Sequence, residues 1–210
     1  MQWTRGAKLD NWAKVGLAAR LLKAVSNASI FFFLTLPLVV LSNCGGTVAK
    51  FTGYEVLQGT AVPTSYTDPV TTITYGPDWW VVGLMVFAAA GLGSAWRGGI
   101  PRSLIGGAAA IGGLIALQAA IGFFNPPKDI DYWSPNAGDG ASGIGLAFGS
   151  VIVFELVSLA ARGWSEARRA TDNKGDWTAL GCFATSILVL IGLGVLALLL
   201  LAFATGGCHC

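Results

Sequence analysis

Five long apolar segments alternate with shorter polar ones along the chain, and this pattern is the main structural signal in the sequence. The segments lie at about 25–42, 79–96, 103–124, 142–161 and 178–205. A helix of about 20 apolar residues crosses the roughly 30 Å hydrocarbon layer of a bilayer. The pattern therefore predicts an all-α integral membrane protein, built as a bundle of five transmembrane helices.

The basic residues alternate from one connection to the next. Eleven of the 13 Lys and Arg residues lie before the first segment, between the second and third, or between the fourth and fifth: Arg5, Lys8, Lys14, Arg20, Lys23, Arg97, Arg102, Arg162, Arg168, Arg169 and Lys174. The other two connections carry only Lys50 and Lys128. Because Lys and Arg are retained on the cytoplasmic side during insertion, this asymmetry predicts a cytoplasmic N-terminus and an outside C-terminus in a cell inner membrane.

The composition narrows the possible partners. Hydrophobic residues make up 54% of the chain and charged residues 11%, with a mean hydropathy of +0.64, which is typical of membrane proteins. The formal net charge of +2 is too small to indicate nucleic-acid binding. We therefore expect lipid and other integral membrane subunits as partners.

The chain divides into three predicted parts. Residues 1–24 form a cytoplasmic amphipathic helix at the membrane interface, with Trp12, Val15, Ala19 and Leu22 on its apolar face. A solvated basic tail is the alternative for this part. Residues 25–205 form the five-span membrane domain, with outer loops at 43–78 and 125–141. Residues 206–210 form an outer Cys-His-Cys tail.

The first outer loop carries strand-like segments. TVAKFTGYEV and PVTTITYG are rich in Thr, Val, Ile and Tyr, and Gly, Pro and Asp residues bound them. They predict two short strands in a small β-hairpin-like structure over the outer membrane face. An isolated hairpin is marginally stable, so it would need support from the spans or from a partner.

One stretch of the sequence resembles a known pattern. Pro37 is followed by Ser42-Asn43-Cys44-Gly45-Gly46, then by Phe51-Thr52-Gly53-Tyr54-Glu55 and Gly59. This order resembles uncharacterised small bacterial multi-span membrane proteins, in which a Ser-Cys-Gly turn ends the first span and a Thr-Gly-aromatic segment follows. The resemblance implies a bacterial membrane protein with an ordered outer loop, and it implies no activity.

Glu155 is the one ionisable side chain that the predicted spans place well inside the membrane. A charge there costs several kcal/mol unless it is protonated, paired or hydrated, so it needs a partner or a function. Glu155 could accept a proton, bind a cation, ligate a pigment metal, or hydrogen-bond a neighbouring helix or subunit. The predicted spans offer no second titratable group to continue a proton relay, which favours a structural role. A bound lipid or pigment is left open.

The cysteines give a second candidate site. Cys44, Cys208 and Cys210 fall on the predicted outer, oxidising side, so Cys44 could form a disulfide with Cys208 or Cys210. Cys208, His209 and Cys210 could instead supply three metal ligands, although a complete zinc site needs a fourth. Thiol redox chemistry is a third possibility for the same residues.

Three functions compete on this evidence. The leading hypothesis is a non-catalytic accessory or structural subunit of a larger membrane complex, most plausibly a photosynthetic or respiratory one. It rests on Gly-rich spans, eight Trp residues, short polar connections and a sequence without a recognisable catalytic motif. The first alternative is a small oligomeric transporter or channel that uses Glu155. The second alternative is a thiol redox membrane enzyme.

Overall fold

Four long helices, one short helix and two small sheets make up the part of the chain that the structure describes. The structure is a computed structural model, and it describes residues 3–43, 45–63, 72–96, 100–125 and 133–171. The helices are α1 (Trp3–Phe33), α2 (Gly53–Gln58), α3 (Trp79–Trp96), α4 (Ile100–Gly122) and α5 (Asp139–Thr171). The strands are β1 (Pro37–Asn43), β2 (Gly46–Thr52), β3 (Thr60–Pro63), β4 (Thr72–Tyr75) and β5 (Ser134–Ala137).

The four long helices have the length and composition of membrane spans. The apolar stretches of α1, α3, α4 and α5 lie at Gly16–Phe33, Trp79–Trp96, Arg102–Gly122 and Asp139–Leu159. A helix of 18 residues such as α3 is about 27 Å long, close to the thickness of the hydrocarbon layer. Trp79, Trp80 and Trp96 are exposed at its two ends, where interfacial indoles are favoured. The predicted fifth span, 178–205, lies outside the described residues.

The four helices close into a ring. Helix α1 packs against α3 and α5, and α4 also packs against α3 and α5. Glycines on α4 allow two of these contacts, because a Cβ at Gly112 would overlap the ring of Phe87 on α3 and a Cβ at Gly113 would overlap the ring of Phe148 on α5. Small residues let helix backbones approach closely in this way, as the sequence pattern indicated.

The first predicted span exists in α1, but its predicted bounds, 25–42, are wrong. Helix α1 ends at Phe33, and Pro37–Asn43 forms the central strand β1 instead of the end of a helix. Leu38, Val39 and Leu41 are buried, so this strand is apolar on more than one face. A short apolar run has the same hydropathy whether it forms a buried strand or part of a helix, so hydropathy alone does not distinguish the two structures. The predicted boundary between residues 24 and 25 also falls inside a single continuous helix.

The sheets lie at one end of the bundle, which we call the sheet end. Strand β1 is antiparallel to β2 on one side and to β5 on the other, while β3 and β4 form a separate antiparallel pair. The predicted strand content of the 43–78 loop is therefore confirmed in β2 and β4. The single hairpin is wrong, because each of these strands pairs with a different partner.

The turn from β2 into α2 uses Thr52 and Glu55, and Gly59 ends the short helix. The backbone N–H of Thr52 donates to Glu55 Oε2 at 2.8 Å, and the N–H of Glu55 donates to Thr52 Oγ1 at 3.3 Å. This reciprocal capping box satisfies two N–H groups at the start of α2. Gly59 ends the helix at a φ of 91°, a conformation that favours glycine. These residues therefore order the loop that follows β1.

Aromatic side chains join the sheets to the bundle. Phe51 of β2 stacks on Phe124 with ring centroids 5.6 Å apart, and Tyr75 of β4 packs against Phe124 at 4.9 Å. The indole N–H of Trp133, which is buried, donates to the carbonyl of Phe124 at 3.3 Å. Aromatic pairs of this geometry contribute about 0.5–1.5 kcal/mol beyond their buried area. Phe124 thus anchors both sheets to the end of α4.

Asp78 caps helix α3 at the sheet end. Its Oδ1 accepts from the backbone N–H of Trp80 at 2.9 Å, and its own N–H donates to the carbonyl of Val56 in α2 at 3.2 Å. The carboxyl group is buried, and burial raises the pKa of Asp78 while the Trp80 hydrogen bond opposes that shift. Asp78 therefore positions α3 against α2, while burial disfavours the charged form of its carboxyl group.

We expect Asp78→Asn to keep the cap and remove that charge. A carboxyl group whose pKa is raised by folding contributes stability at acid pH, and this contribution is lost as the pH rises through the folded-state pKa. The Asn variant should therefore be at least as stable as wild type at about pH 7, with an advantage that shrinks towards about pH 4. Asp78→Ala should lose the cap and about 1 kcal/mol. Thermal unfolding in detergent across this pH range measures both effects, and an Asn variant as unstable as the Ala variant would contradict the assignment.

Candidate functional site

A buried ion pair links the first and last described helices. Lys23 Nζ of α1 lies 2.9 Å from Glu155 Oε2 of α5, and the two side chains are 6% and 3% exposed. The contact is an ion pair without full hydrogen-bond alignment. Burying either charge alone in an apolar surrounding would be strongly unfavourable. The attraction between the two opposite charges offsets part of this cost for both. Glu155 thus has its partner within its own chain.

Two further polar side chains lie beside the pair. Asn27, one turn after Lys23 on α1, is 1% exposed, and its Nδ2 donates to the carbonyl of Lys23 at 2.9 Å. Ser94 of α3 donates its hydroxyl to the carbonyl of Gly91 at 2.7 Å. Asn27 Oδ1 and Glu155 Oε1 are buried and accept no hydrogen bond from any group in the part of the chain that the structure describes.

Glycines on the two remaining helices bring these groups together. An ideal Cβ at Gly106 of α4 would overlap Glu155 Oε1 and would lie 2.7 Å from Ser94 Oγ. An ideal Cβ at Gly91 of α3 would overlap the amide group of Asn27. All four long helices therefore meet at one polar layer, to which α1 and α5 contribute the charges and α3 and α4 contribute close backbone approach. We call Lys23, Asn27, Ser94 and Glu155 the polar cluster.

The polar cluster lies towards the end of the bundle opposite the sheets. Gly106 follows Arg102 by one turn of α4, about 6 Å along the axis, and Gly91 precedes Trp96 by about 8 Å. Arg102 and Arg20 are exposed at this end of the bundle, which we call the basic end. The pair thus lies nearer to the basic end of the bundle than to the sheet end.

Lys23 is the site residue that sequence reasoning missed. The sequence pattern places Lys23 among the basic residues before the first span, so it predicts no titratable partner for Glu155 within the spans. A helical stripe could have revealed it, because Ala19, Lys23, Asn27 and Ile30 recur at helical spacing and all four are buried. The predicted apolar face included Leu22, which is 47% exposed.

The other sequence-predicted site residues are not brought together by the described structure. Cys44, Cys208, His209 and Cys210 lie outside the described residues, so the disulfide, the metal site and the thiol redox site stay predictions. Among the residues that were described, there is no group of three or more His, Cys, Asp or Glu side chains that could hold a metal.

An open groove lies at the sheet end. It has a volume of about 450 Å³ between the three-stranded sheet and the start of α5, and its lining includes Ser42, Lys50, Asn136 and Asp139. Asn136 Nδ2 donates to Ser42 Oγ at 2.6 Å, which joins β5 to β1 across the groove floor. Lys50 and Asp139 are exposed. The groove has a mixed polar and apolar lining and is separate from the polar cluster.

Comparisons with known proteins give no family for this chain. No protein-family model, no curated protein and no solved structure matches it.

Proposed function

We propose that this protein is a non-catalytic accessory subunit of a larger membrane complex, most plausibly a photosynthetic or respiratory one in a bacterial inner membrane. In this proposal the N-terminus is cytoplasmic and the basic end faces the cytoplasm. The four-helix ring is a rigid unit whose outer surface packs against other integral membrane subunits, and the sheets cover its outside end.

The observation that carries this proposal is the closed Lys23–Glu155 pair. Both charges are buried and meet inside the chain, so the pair is placed to hold α1 against α5. A partner subunit is not needed to neutralise Glu155. The charge that first suggested transport or pigment ligation is instead used to fix the arrangement of the helices.

The outer surface of the ring supports the same proposal. Each helix exposes large apolar side chains, among them Leu21 on α1, Val86 on α3, Ile115 on α4 and Leu146 on α5. In a membrane such side chains contact either lipid tails or other helices. An accessory subunit would use one of these faces for its neighbours and leave the others to lipid.

The test is to purify the tagged protein from its native membrane in mild detergent. We expect a complex with other integral membrane proteins at a fixed ratio. Single Trp substitutions at Val86, Ile115 and Leu146 should then divide into two groups, because an added ring disturbs a protein contact more than a lipid contact. Substitutions on the partner face should lower recovery of the complex, and those on lipid faces should not. A protein that purifies alone would contradict the proposal.

A second candidate function is ion or proton transport by a small oligomer. The buried charged pair, with the buried acceptors Glu155 Oε1 and Asn27 Oδ1 beside it, favours this candidate, because ionisable residues inside membrane spans often mark an ion or proton pathway. This candidate predicts a homo-oligomer in mild detergent and a measurable flux in proteoliposomes of the protein alone. The accessory role predicts neither result.

A further inference from the structure

The open groove at the sheet end is lined by one cation and one anion. Lys50 of β2 and Asp139 at the start of α5 both line it, and both side chains are exposed. They form no ion pair with each other or with another group in the described part of the chain. The other described acidic groups at this end, Glu55 and Asp78, already accept backbone hydrogen bonds at the starts of their helices. The groove therefore presents two opposite charges to a ligand.

Strand pairing places the lining residues on one face of the three-stranded sheet. Lys50, Val40 and Asn136 are paired across the three strands, so their side chains share that face. Because adjacent strands lie about 4.8 Å apart, the Cα atoms of Lys50 and Asn136 are separated by roughly 10 Å. Asn136 Nδ2 donates to Ser42 Oγ, and Thr47 adds an exposed hydroxyl group. A ligand in the groove thus contacts amide and hydroxyl groups as well as the two charges.

The groove lies where the apolar stretches of two helices meet their ends. The apolar stretch of α1 ends at Phe33, and that of α5 begins at Asp139. An ideal Cβ at Gly140 would be 2.6 Å from the carbonyl oxygen of Phe33, so the two boundaries lie at the same level. In a bilayer, the layer just beyond the hydrocarbon holds the lipid headgroups. The groove is therefore at the depth of the headgroups.

An exposed apolar surface continues from the groove along α5. Leu146 and Val153 follow Asp139 at intervals of seven residues, so all three lie on one face of the helix, and all three are exposed. On the same part of α5, an ideal Cβ at Gly149 meets no heavy atom within 4 Å. This face can contact an acyl chain whose headgroup is held beside Asp139. A lipid, with a charged head and an apolar tail, matches both surfaces.

The two charges distinguish between headgroups. A Lys ammonium binds phosphate as a point charge, so Lys50 can bind the phosphate that all phospholipids carry. The Asp139 carboxylate accepts hydrogen bonds, and a primary ammonium such as that of ethanolamine supplies the N–H donors. The quaternary nitrogen of choline has no N–H group. An anionic headgroup offers no cation to Asp139 and is repelled by its charge.

We infer that the groove binds the headgroup of a zwitterionic phospholipid with a primary ammonium group. Its phosphate lies at Lys50 and its ammonium at Asp139. Soluble phosphoethanolamine compounds share this chemistry, so the test includes both sources. The inference goes beyond the accessory role, because it assigns a ligand to a single chain and holds whether or not a partner subunit is present.

Lipid retention by the purified full chain tests this inference. The chain is reconstituted in bilayers that contain equal amounts of ethanolamine, choline and glycerol phospholipids with the same acyl chains, and is then purified in mild detergent. Mass spectrometry of the retained lipids should show severalfold enrichment of the ethanolamine lipid, and equal retention of the three lipids would overturn the inference. Soluble glycerophosphoethanolamine at the same concentration should not displace the retained lipid. Displacement would assign the groove to a soluble zwitterion and overturn the lipid assignment.

Substitutions of the two charges test their separate roles. Asp139→Asn should abolish the preference for ethanolamine over choline lipid and shift retention towards the anionic glycerol lipid, because Lys50 then acts alone. Lys50→Gln should lower retention of the ethanolamine lipid severalfold. Arg20→Gln is the matched control, because it removes an exposed positive charge at the basic end, and it should leave the enrichment of ethanolamine lipid unchanged.

Unchanged retention in either groove variant would overturn the assignment of that residue. Both side chains are exposed, so we expect the variants to keep the thermal unfolding midpoint of wild type. The lipid measurement uses the isolated chain, whereas purification from native membranes tests the accessory role. Either proposal can therefore fail without the other.

Discussion

Glu155→Leu is expected to destabilise the protein by about 3–5 kcal/mol, because it leaves the Lys23 ammonium buried without a counter-charge. Lys23→Met should cost a similar amount by stranding the carboxylate. The two substitutions together should restore most of the lost stability, since Met and Leu can pack in the same apolar surrounding. Reversible unfolding in mixed micelles gives the three free energies and the coupling between the two positions.

The control for this cycle is Arg20→Met. Arg20 is basic, lies one turn before Lys23 on the same helix and is exposed, so its replacement should change the unfolding free energy by less than about 0.5 kcal/mol. Glu155→Gln should also be destabilising, because it leaves the Lys23 charge unpaired. Losses that simply add in the double variant would show that the pair does not act as a unit.

Gly140→Ala is expected to be the most damaging single methyl addition on α5. Gly140 lies in the first turn of α5, where an ideal Cβ would be 2.6 Å from the carbonyl oxygen of Phe33 and 2.8 Å from that of Leu36. Both neighbours are backbone atoms at the junction between α1 and β1, so they cannot rotate away as a side chain could. We expect a loss of about 1–3 kcal/mol or more from overpacking.

Gly149→Ala is the matched control on the same helix. An ideal Cβ at Gly149 has no heavy atom within 4 Å, so the added methyl group meets open space. Ala is favoured over Gly inside a helix by about 1 kcal/mol, and this variant should be as stable as wild type or more so. The midpoints of thermal unfolding in detergent compare the two variants. If Gly140→Ala is as stable as Gly149→Ala, α5 does not pack against the end of α1 as described.

Much of the helical arrangement could be predicted from hydropathy alone. The predicted span 79–96 coincides with the apolar helix α3, and the predicted third and fourth spans fall within α4 and α5 apart from the last residues of the third. These helices are long apolar runs with clear polar ends. The first span was misplaced because Leu38–Leu41 is as apolar as a helix, whereas its role as a central strand depends on partners far along the chain.

The sheet pairing and the ion pair depend on long-range contacts that local patterns do not report. Strand β5 has the sequence SPNA, which carries no strand signal, and it pairs with β1 because the start of α5 packs there. Glu155 lies in the apolar stretch of α5, where the sequence pattern places it, and its side chain is buried. The sequence pattern does not indicate its partner, since Lys23 lies just before the predicted first span at 25–42, where Lys normally reaches towards water. Only the packing of α1 against α5 turns this side chain inward.

The distance between Lys23 Nζ and Glu155 Cδ tests the central claim most directly. The chain would be labelled with ¹⁵N at Lys Nζ and ¹³C at Glu Cδ, reconstituted in lipid bilayers and measured by dipolar recoupling in solid-state NMR. A closed pair predicts strong dephasing of the Glu155 signal, and Lys23→Met should abolish it. A Glu155 signal that shows no dephasing in folded wild-type protein would contradict the buried pair and the helix arrangement that depends on it.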